Sequence, residues 1–363
     1  MITIKDIAAQ AGVSIGTVDR VLHGRGRVAR ETEERIRRIV IETGFRPNLH
    51  ARQLSTALTH TFAVLLPQGD QDGGYWELAG PGLERAAAEL SPFHVSIREY
   101  RFDRYRPESF EEAANRLLED PPDGLVLAPV LPASAGTLLE RLPPDTRYVF
   151  IDTDLSHAAP LSFIGQDPGR SGRLAAKLMR LLVREPSRVL AVRAVPEDSH
   201  IAGRISGFLS GFPAGAGPEV LVEERLEEPA ACGRFMDRLL ERFGLDTAGS
   251  GSADSGSTDG SRAVRNELGL FIANASCHRV AEYLEERFPE GAPVKVIGYD
   301  LTPGNRRALV RGTIEFILSQ RPELQAYEAL TALYRTRALG MMPPERIAMP
   351  IDILTKENVE HYR

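Results

Sequence analysis

Three polar residues each stand directly behind a short apolar run: Asp152 behind Tyr148-Val-Phe-Ile, Asn274 behind Phe271-Ile-Ala, and Asp300 behind Val296-Ile-Gly-Tyr. Two carboxylates and an amide in such places can exchange hydrogen bonds with a polar ligand. The same residue types also cap helices and close turns, so capping stands as the plain alternative. A second set lies near the N-terminus, where Ser14, Ile15, Gly16, Thr17, Asp19 and Arg20 fall on one side of a short helix and Val18, Val21 and Leu22 on the other. An arginine, hydroxyls and small side chains on an outward helix face are groups that reach phosphates and base edges of duplex DNA. Motifs for covalent or phosphoryl chemistry are missing. Gly165-Gln-Asp-Pro-Gly169 lacks the glycine pattern of a nucleotide loop, and no Gly-x-Ser-x-Gly turn stands between a strand and a helix. Recognition explains these polar residues better than turnover does, and the chain is read as a non-enzyme.

The elements that must hold this second set are three helices. Thr3 can cap a helix with Asp6 as its partner, and Ile7, Ala8 and Ala11 repeat on one face. Gly12 breaks the run, Ser14 caps a second helix, and a third is expected over 30–43 with Ile36, Ile39 and Val40 inward and Gly44 as its stop. Two short helices joined by a tight turn form the geometry that lays a reading helix in the major groove. His23, Arg25 and Arg27 follow in the loop beyond it.

After Thr59 short apolar strands alternate with amphipathic helices. Strands are expected at 62–67, 94–98, 124–128, 148–152, 188–192, 219–222, 269–273 and 294–298, and helices at 75–90, 107–118, 169–182, 200–211, 230–243 and 276–288. This alternation predicts an α/β class: a small all-α helix-turn-helix domain followed by two doubly wound parallel sheets of about six strands each. Ligands in such sheets lie beyond the carboxyl ends of the strands, where Asp152, Asn274 and Asp300 stand. The Gly/Ser-rich run 249–261 has no large apolar residue and reads as a surface insertion at a helix-to-strand connection.

Charge is divided along the chain. Residues 1–60 hold ten Lys/Arg against six Asp/Glu, a net of +4, so the remainder carries −10 of the overall −6. A basic head on an acidic body suits a duplex-binding module attached to a sensing domain. At 363 residues the chain has room for two or three domains. Its two cysteines, Cys232 and Cys277, give no disulfide framework, and no Cys/His spacing suggests a metal; no cofactor is expected. The absence of an apolar leader or spanning run predicts a cytoplasmic protein without membrane contact.

Ile7-Ala-Ala-Gln-Ala-Gly-Val-Ser14, Thr17-Val18, Arg20-Val21-Leu22, Val28, Gly44-Phe-Arg-Pro-Asn48 and Ala51-Arg-Gln-Leu54 resemble the LacI/GalR family of transcriptional regulators. The resemblance implies DNA contacts from Ser14, Ile15, Gly16, Thr17, Arg20, His23 and Arg27. It also implies a hinge over 48–55 in which Asn48 and Ala51 approach DNA and Leu54 wedges into the minor groove. Two departures are Asp19, where the family usually has a small hydroxyl residue, and Ala29, which replaces the hydroxyl cap of the third helix. For the body the resemblance implies a periplasmic-binding-protein type I-like, two-lobed domain that closes on a sugar or polyol. Arg204 and Gln320 join Asp152, Asn274 and Asp300 at the ligand, and Trp76 stands where relatives place an aromatic ring against the sugar. Each has a packing or capping alternative, and His200 could line the cleft or enter a helix.

The implied division is a headpiece at 1–47, a hinge and linker at 48–59, and an effector and dimerisation domain at 60–363. Within it, the N-lobe takes 60–165 plus 296–322 and the C-lobe 166–295 plus 323–355. The implied function is a homodimeric repressor of sugar or polyol genes on a pseudo-palindromic operator. The alternatives are a periplasmic-type solute receptor, or a corepressor-dependent regulator of a non-sugar metabolite.

Overall fold

The computed structural model describes residues 4–22, 28–43, 59–183, 188–194, 199–213, 217–245 and 267–362. The chain divides into two compact units at the 58/59 boundary.

In the first unit, α1 (Ile4–Ala11), α2 (Ile15–Leu22) and α3 (Arg30–Thr43) enclose one small core. Ile7, Ala8, Ala11, Val18, Val21 and Ile36 are buried there, with Val13, Val28, Ile39 and Val40 packed against them. The α1 end is closed by two reversed hydrogen bonds, Val13 N–H to Ala8 O at 3.0 Å and Gly12 N–H to Ala9 O at 3.3 Å. That closure needs a left-handed residue, and Gly12 supplies it at φ +64°.

The second unit contains two six-stranded sheets, as expected. The first is ordered β11-β5-β4-β3-β1-β2, built from β1 (His60–Pro67), β2 (Val95–Phe102), β3 (Gly124–Leu127), β4 (Arg147–Ile151), β5 (Ser162–Gly165) and β11 (Arg346–Ala348). The second is ordered β12-β10-β9-β8-β6-β7, from β6 (Val189–Arg193), β7 (Glu219–Val222), β8 (Leu268–Ile272), β9 (Val294–Tyr299), β10 (Phe316–Ser319) and β12 (Asp352–Leu354). All described pairings are parallel except the edge pair β10–β12, which is antiparallel.

The helices flanking the first sheet are α4 (Gly80–Leu90), α5 (Pro107–Glu119), α6 (Pro132–Arg141) and α12 (Pro322–Leu339). Those flanking the second are α7 (Pro168–Leu182), α8 (Ser199–Leu209), α9 (Pro229–Phe243), α10 (Cys277–Arg287) and α11 (Pro303–Arg311).

The expected division into lobes is corrected by strand pairing. Segment 296–322, assigned above to the N-lobe, supplies β9 and β10 to the second sheet, where Phe316 pairs with Ile297. Helix α12, assigned to the C-lobe, buries Ala326, Ala329, Leu330, Leu333 and Tyr334 in the core of the first sheet. An apolar strand carries no mark of which sheet it joins, so the three crossings of the chain between lobes leave no local signal. Among the described residues, no helix is long and apolar enough to cross a membrane.

Two details of packing position the cleft. Helices α7 and α8 meet at glycines: a Cβ on Gly172 would lie 2.0 Å from Arg204 O, and one on Gly207 would lie 2.2 Å from Gly169 O. This backbone-to-backbone approach fixes the depth of Arg204. On the other lobe, the turn after β1 runs through Gly73 at φ +68°, where a Cβ would stand 2.9 Å from Ala275 O.

Candidate functional site

On α2, Ser14 caps the helix by accepting the Thr17 N–H at 3.2 Å, and its hydroxyl meets that of Thr17 at 2.9 Å. Ile15 is 52% exposed, Gly16 and Arg20 are exposed, and Val18 and Val21 are buried. The outward face predicted for this helix is therefore present. On α3, Ala29 gives the first turn a backbone acceptor only, for Glu33 N–H at 3.0 Å. His23, Arg27, Asn48, Ala51 and Leu54, the side chain of Asp19 and the run 249–261 lie outside the described residues.

In the second unit, Trp76, Asp152, Arg204, Asn274, Asp300 and Gln320 all line one cleft, together with Asp72, Tyr75, Arg104 and His200. As it stands the cleft encloses a cavity of about 20 Å³, room for about one water molecule. Asp152 follows β4, Asn274 follows β8, Asp300 follows β9 and Gln320 follows β10, all at carboxyl ends. Asp72, Asp152 and Asp300 hold left-handed backbone, at φ 54°, 64° and 58°. Aspartate tolerates that region better than most residues, at a cost of order 1 kcal/mol each. The chain turns at once behind β4 and β9, where Asp152 and Asp300 stand, while Asp72 opens the 3-10 run that follows β1.

The carboxylates are held by neighbours that leave specific gaps. Trp76 Nε1 donates to Asp72 Oδ2 at 2.7 Å, and Arg104 Nη1 donates to the same oxygen. Asp72 Oδ1 is buried without a partner. Tyr75 O–H donates to Asp152 Oδ1 at 2.8 Å, and Thr153 O–H donates to Asp152 Oδ2 at 3.2 Å. His200 Nδ1 lies 2.8 Å from the Thr153 hydroxyl, linking α8 of one lobe to the β4 end of the other. Gln320 donates to both oxygens of Asp300, from its backbone N–H at 3.3 Å and its side chain at 3.1 Å. Gln325 in α12 braces this corner, accepting the Asp152 N–H at 2.9 Å and donating to Gln320 O at 2.8 Å.

Arg204 donates from Nη1 to Ala273 O at 3.0 Å and lies 3.9 Å over the Tyr299 ring, and its Nε is buried without a partner. Asn274 is partly committed to the turn before α10: its amide donates to Ser276 Oγ at 3.0 Å and accepts the Ser276 N–H at 3.3 Å. Ser276 O–H in turn donates to Glu227 Oε1 at 2.9 Å.

Burial pushes the Asp300 carboxyl up to about 7; Arg204 opposes the shift and Asp152 adds to it. Burial, then the Asp152 and Asp300 charges, raise Tyr75. Burial, then Asp72, raise Glu227. These shifts share one origin: several acids placed in a closed, poorly solvated space.

Sequence reasoning found six lining residues and missed Asp72, Tyr75, Arg104, Thr153 and Gln325. The rule that finds post-strand residues would have reached Arg104, had the second strand been extended to Phe102 instead of ending at 98. Asp72 lay inside the range between predicted elements, before a helix expected to start at 75. That segment is a 3-10 run, Asp72–Ala79, kinked at Gly73 and Gly74, before α4 begins. Gln325 belongs to a helix left unassigned.

With the cleft at strand ends between two similar lobes, comparison with known proteins is decisive. The periplasmic binding protein domain model matches residues 62–338. The chain belongs to that family. Residues 3–48 match the model for bacterial regulatory proteins of the lacI family, so the chain carries a domain of that kind ahead of the periplasmic binding protein domain.

Catabolite control protein A of Staphylococcus aureus is 32% identical over 141 residues, 39% of each chain. The HTH-type transcriptional regulator MalR of Streptococcus pneumoniae is 36% identical over 98 residues, 27% of this chain and 30% of that one. The matched part thus spans about two fifths or less of these relatives' length. Among solved structures, a candidate LacI transcriptional regulator from Bacteroides fragilis superposes with TM-score 0.71 at 25% identity, over 84% of this chain and 100% of that one. A solute binding protein from Burkholderia graminis, in complex with D-arabinose, superposes with TM-score 0.69 at 17% identity, over 85% and 99%. This second likeness concerns the fold.

Proposed function

We propose that the protein is a cytoplasmic, ligand-responsive DNA-binding regulator, a repressor acting as a homodimer, whose cleft takes a sugar or polyol. The observation that carries this reading is the pairing of an outward-facing α2 in a lacI-type headpiece with a cleft that has an unpartnered acceptor and an unpartnered donor, Asp72 Oδ1 and Arg204 Nε. A hydroxyl satisfies both atom types at once, and unmet buried polar atoms cost about 1–3 kcal/mol each. The D-arabinose in the Burkholderia graminis neighbour supports the same ligand class.

Ser14, Ile15, Gly16, Thr17 and Arg20 meet DNA directly, with His23, Arg27, Asn48, Ala51 and Leu54 from the loop and hinge. Two heads read two half-sites, because one short helix spans too few bases alone. Trp76, Asp152, Arg204, Asn274, Asp300 and Gln320 hold the ligand by recognition without turnover. Ligand and operator then alter each other's affinity by one common factor. A solute receptor has the same body without the headpiece, and the 3–48 match favours the regulator.

The test combines two assays on the full chain. Duplex DNA should retain it at low salt and release it as salt rises, with a log-log slope set by the phosphates contacted. A monosaccharide should raise its melting temperature in proportion to the logarithm of ligand excess. Failure to bind any duplex removes the regulatory reading, and absence of a shift across pentoses, hexoses and polyols removes the sugar reading.

A further inference from the structure

The cleft is lined by more acidic side chains than arginines. Asp72, Asp152 and Asp300 line it, and Glu227 stands behind Asp72, accepting Ser276 O–H at 2.9 Å and the Gly73 N–H. Two arginines oppose them. Arg104 is bonded through Nη1 to Asp72, and Arg204 is bonded through Nη1 to Ala273 O with its face on Tyr299. Among the buried side-chain atoms of the described lining residues, the donor without a partner is Arg204 Nε and the acceptor without one is Asp72 Oδ1.

The geometry points to an uncharged polyhydroxyl ligand and to the exclusion of anionic sugars, phosphate esters and sugar acids alike. This rests on the ligand reading above and narrows it. A phosphate ester brings close to two negative charges and three acceptor oxygens, and needs several donors. Among the fully buried, unpartnered side-chain atoms of the lining it would find one N–H, Arg204 Nε, and be set against an acceptor, Asp72 Oδ1. A hydroxyl donates to Asp72 and accepts from Arg204. Two helix N-termini each have one N–H taken by a side chain: Thr302 Oγ1 accepts the Asn305 N–H at the start of α11, and Asn274 Oδ1 accepts the Ser276 N–H before α10. The Arg104 contact makes Asp72 the selecting group, because replacing its carboxylate removes an acid that an anion would otherwise have to face beside that arginine.

The experiment is a thermal-shift titration of the full chain with D-arabinose, D-ribose, D-galactose and D-glucose, each beside its phosphate ester and its sugar acid. The expected result is binding of at least one neutral sugar, with its ester and acid at least tenfold weaker. Asp72→Asn should narrow that ratio at least threefold by weakening the neutral sugar and strengthening the ester. Should that variant fail to fold, the sugar-to-ester and sugar-to-acid ratios of the parent chain still decide the inference. An ester or acid that binds as tightly as its parent sugar overturns the inference and leaves the sugar-binding reading standing. No response to any member overturns both.

Discussion

Replacing Asp300 by asparagine should change how stability depends on pH, and the size of the change follows from where the carboxyl sits. It is fully enclosed, and burial lifts it from 3.8 to about 7, with Arg204 partly opposing. Between those values the folded chain holds a proton that the unfolded chain has released, so stability from this group is complete below about pH 4 and is lost as pH rises through 7. At ~1.4 kcal/mol per unit, the full loss is about 4 kcal/mol, and the part falling between pH 5 and 7 is about 2–3 kcal/mol.

Asparagine has no charge to desolvate. It keeps an acceptor for one Gln320 donor and sets its own amide against the other, a cost of about 1 kcal/mol that does not vary with pH. Urea unfolding followed by the fluorescence of Trp76, the only tryptophan and a wall of the same cleft, measures both proteins at pH 5, 6 and 7. The variant should gain about 2–3 kcal/mol on the parent across that span. A difference that stays flat, or that moves in the parent's favour as pH rises, would refute the placement of a buried, raised carboxyl at this position.

Arg20→Ala should cost about 1–3 kcal/mol against a selected operator and much less against random duplex in parallel anisotropy titrations; equal losses would remove it from base reading. Ala29→Ser should add about 1 kcal/mol to the headpiece by supplying the missing cap of α3, read as a higher melting temperature of that unit, and no rise would show the helix end is satisfied otherwise. Gly207→Val should push α8 off Gly169, lowering the body's melting temperature by about 4–8 °C and abolishing the sugar-induced shift; an unaltered melt would contradict the close contact.

Local chemistry made the headpiece readable almost to the residue. The third helix, expected over 30–43, is Arg30–Thr43, and the Gly12 break and Ser14 cap stand where turn and cap preferences put them. Those signals are short-range: a glycine at positive φ, a hydroxyl three residues before its N–H, an apolar repeat. The body yielded its class and the expectation of about six strands per sheet, since alternation survives without knowledge of pairing, while the short strands β5, β10, β11 and β12 went unplaced.

Pairing itself was not legible. β9 read as a strand that could complete either sheet, β10 was not placed at all, and α12, with nine buried residues around most of its circumference, has too weak a polar face to declare which core it serves. The cleft was half visible. Asp152, Asn274 and Asp300 are marked by the apolar runs before them. Arg104 was hidden by a strand end set too early, and Asp72 by its place ahead of the helix expected from 75, in a glycine-kinked 3-10 run that no apolar repeat announces.

The most direct test of the account is a fluorescence anisotropy titration of a duplex, selected from random sequence by the full chain, with and without a saturating neutral sugar found by thermal shift. The account predicts salt-sensitive binding whose affinity the sugar changes, with the duplex changing sugar affinity by an equal factor. A chain that ignores duplex at low ionic strength, or whose duplex affinity is the same with the cleft filled and empty, would contradict it.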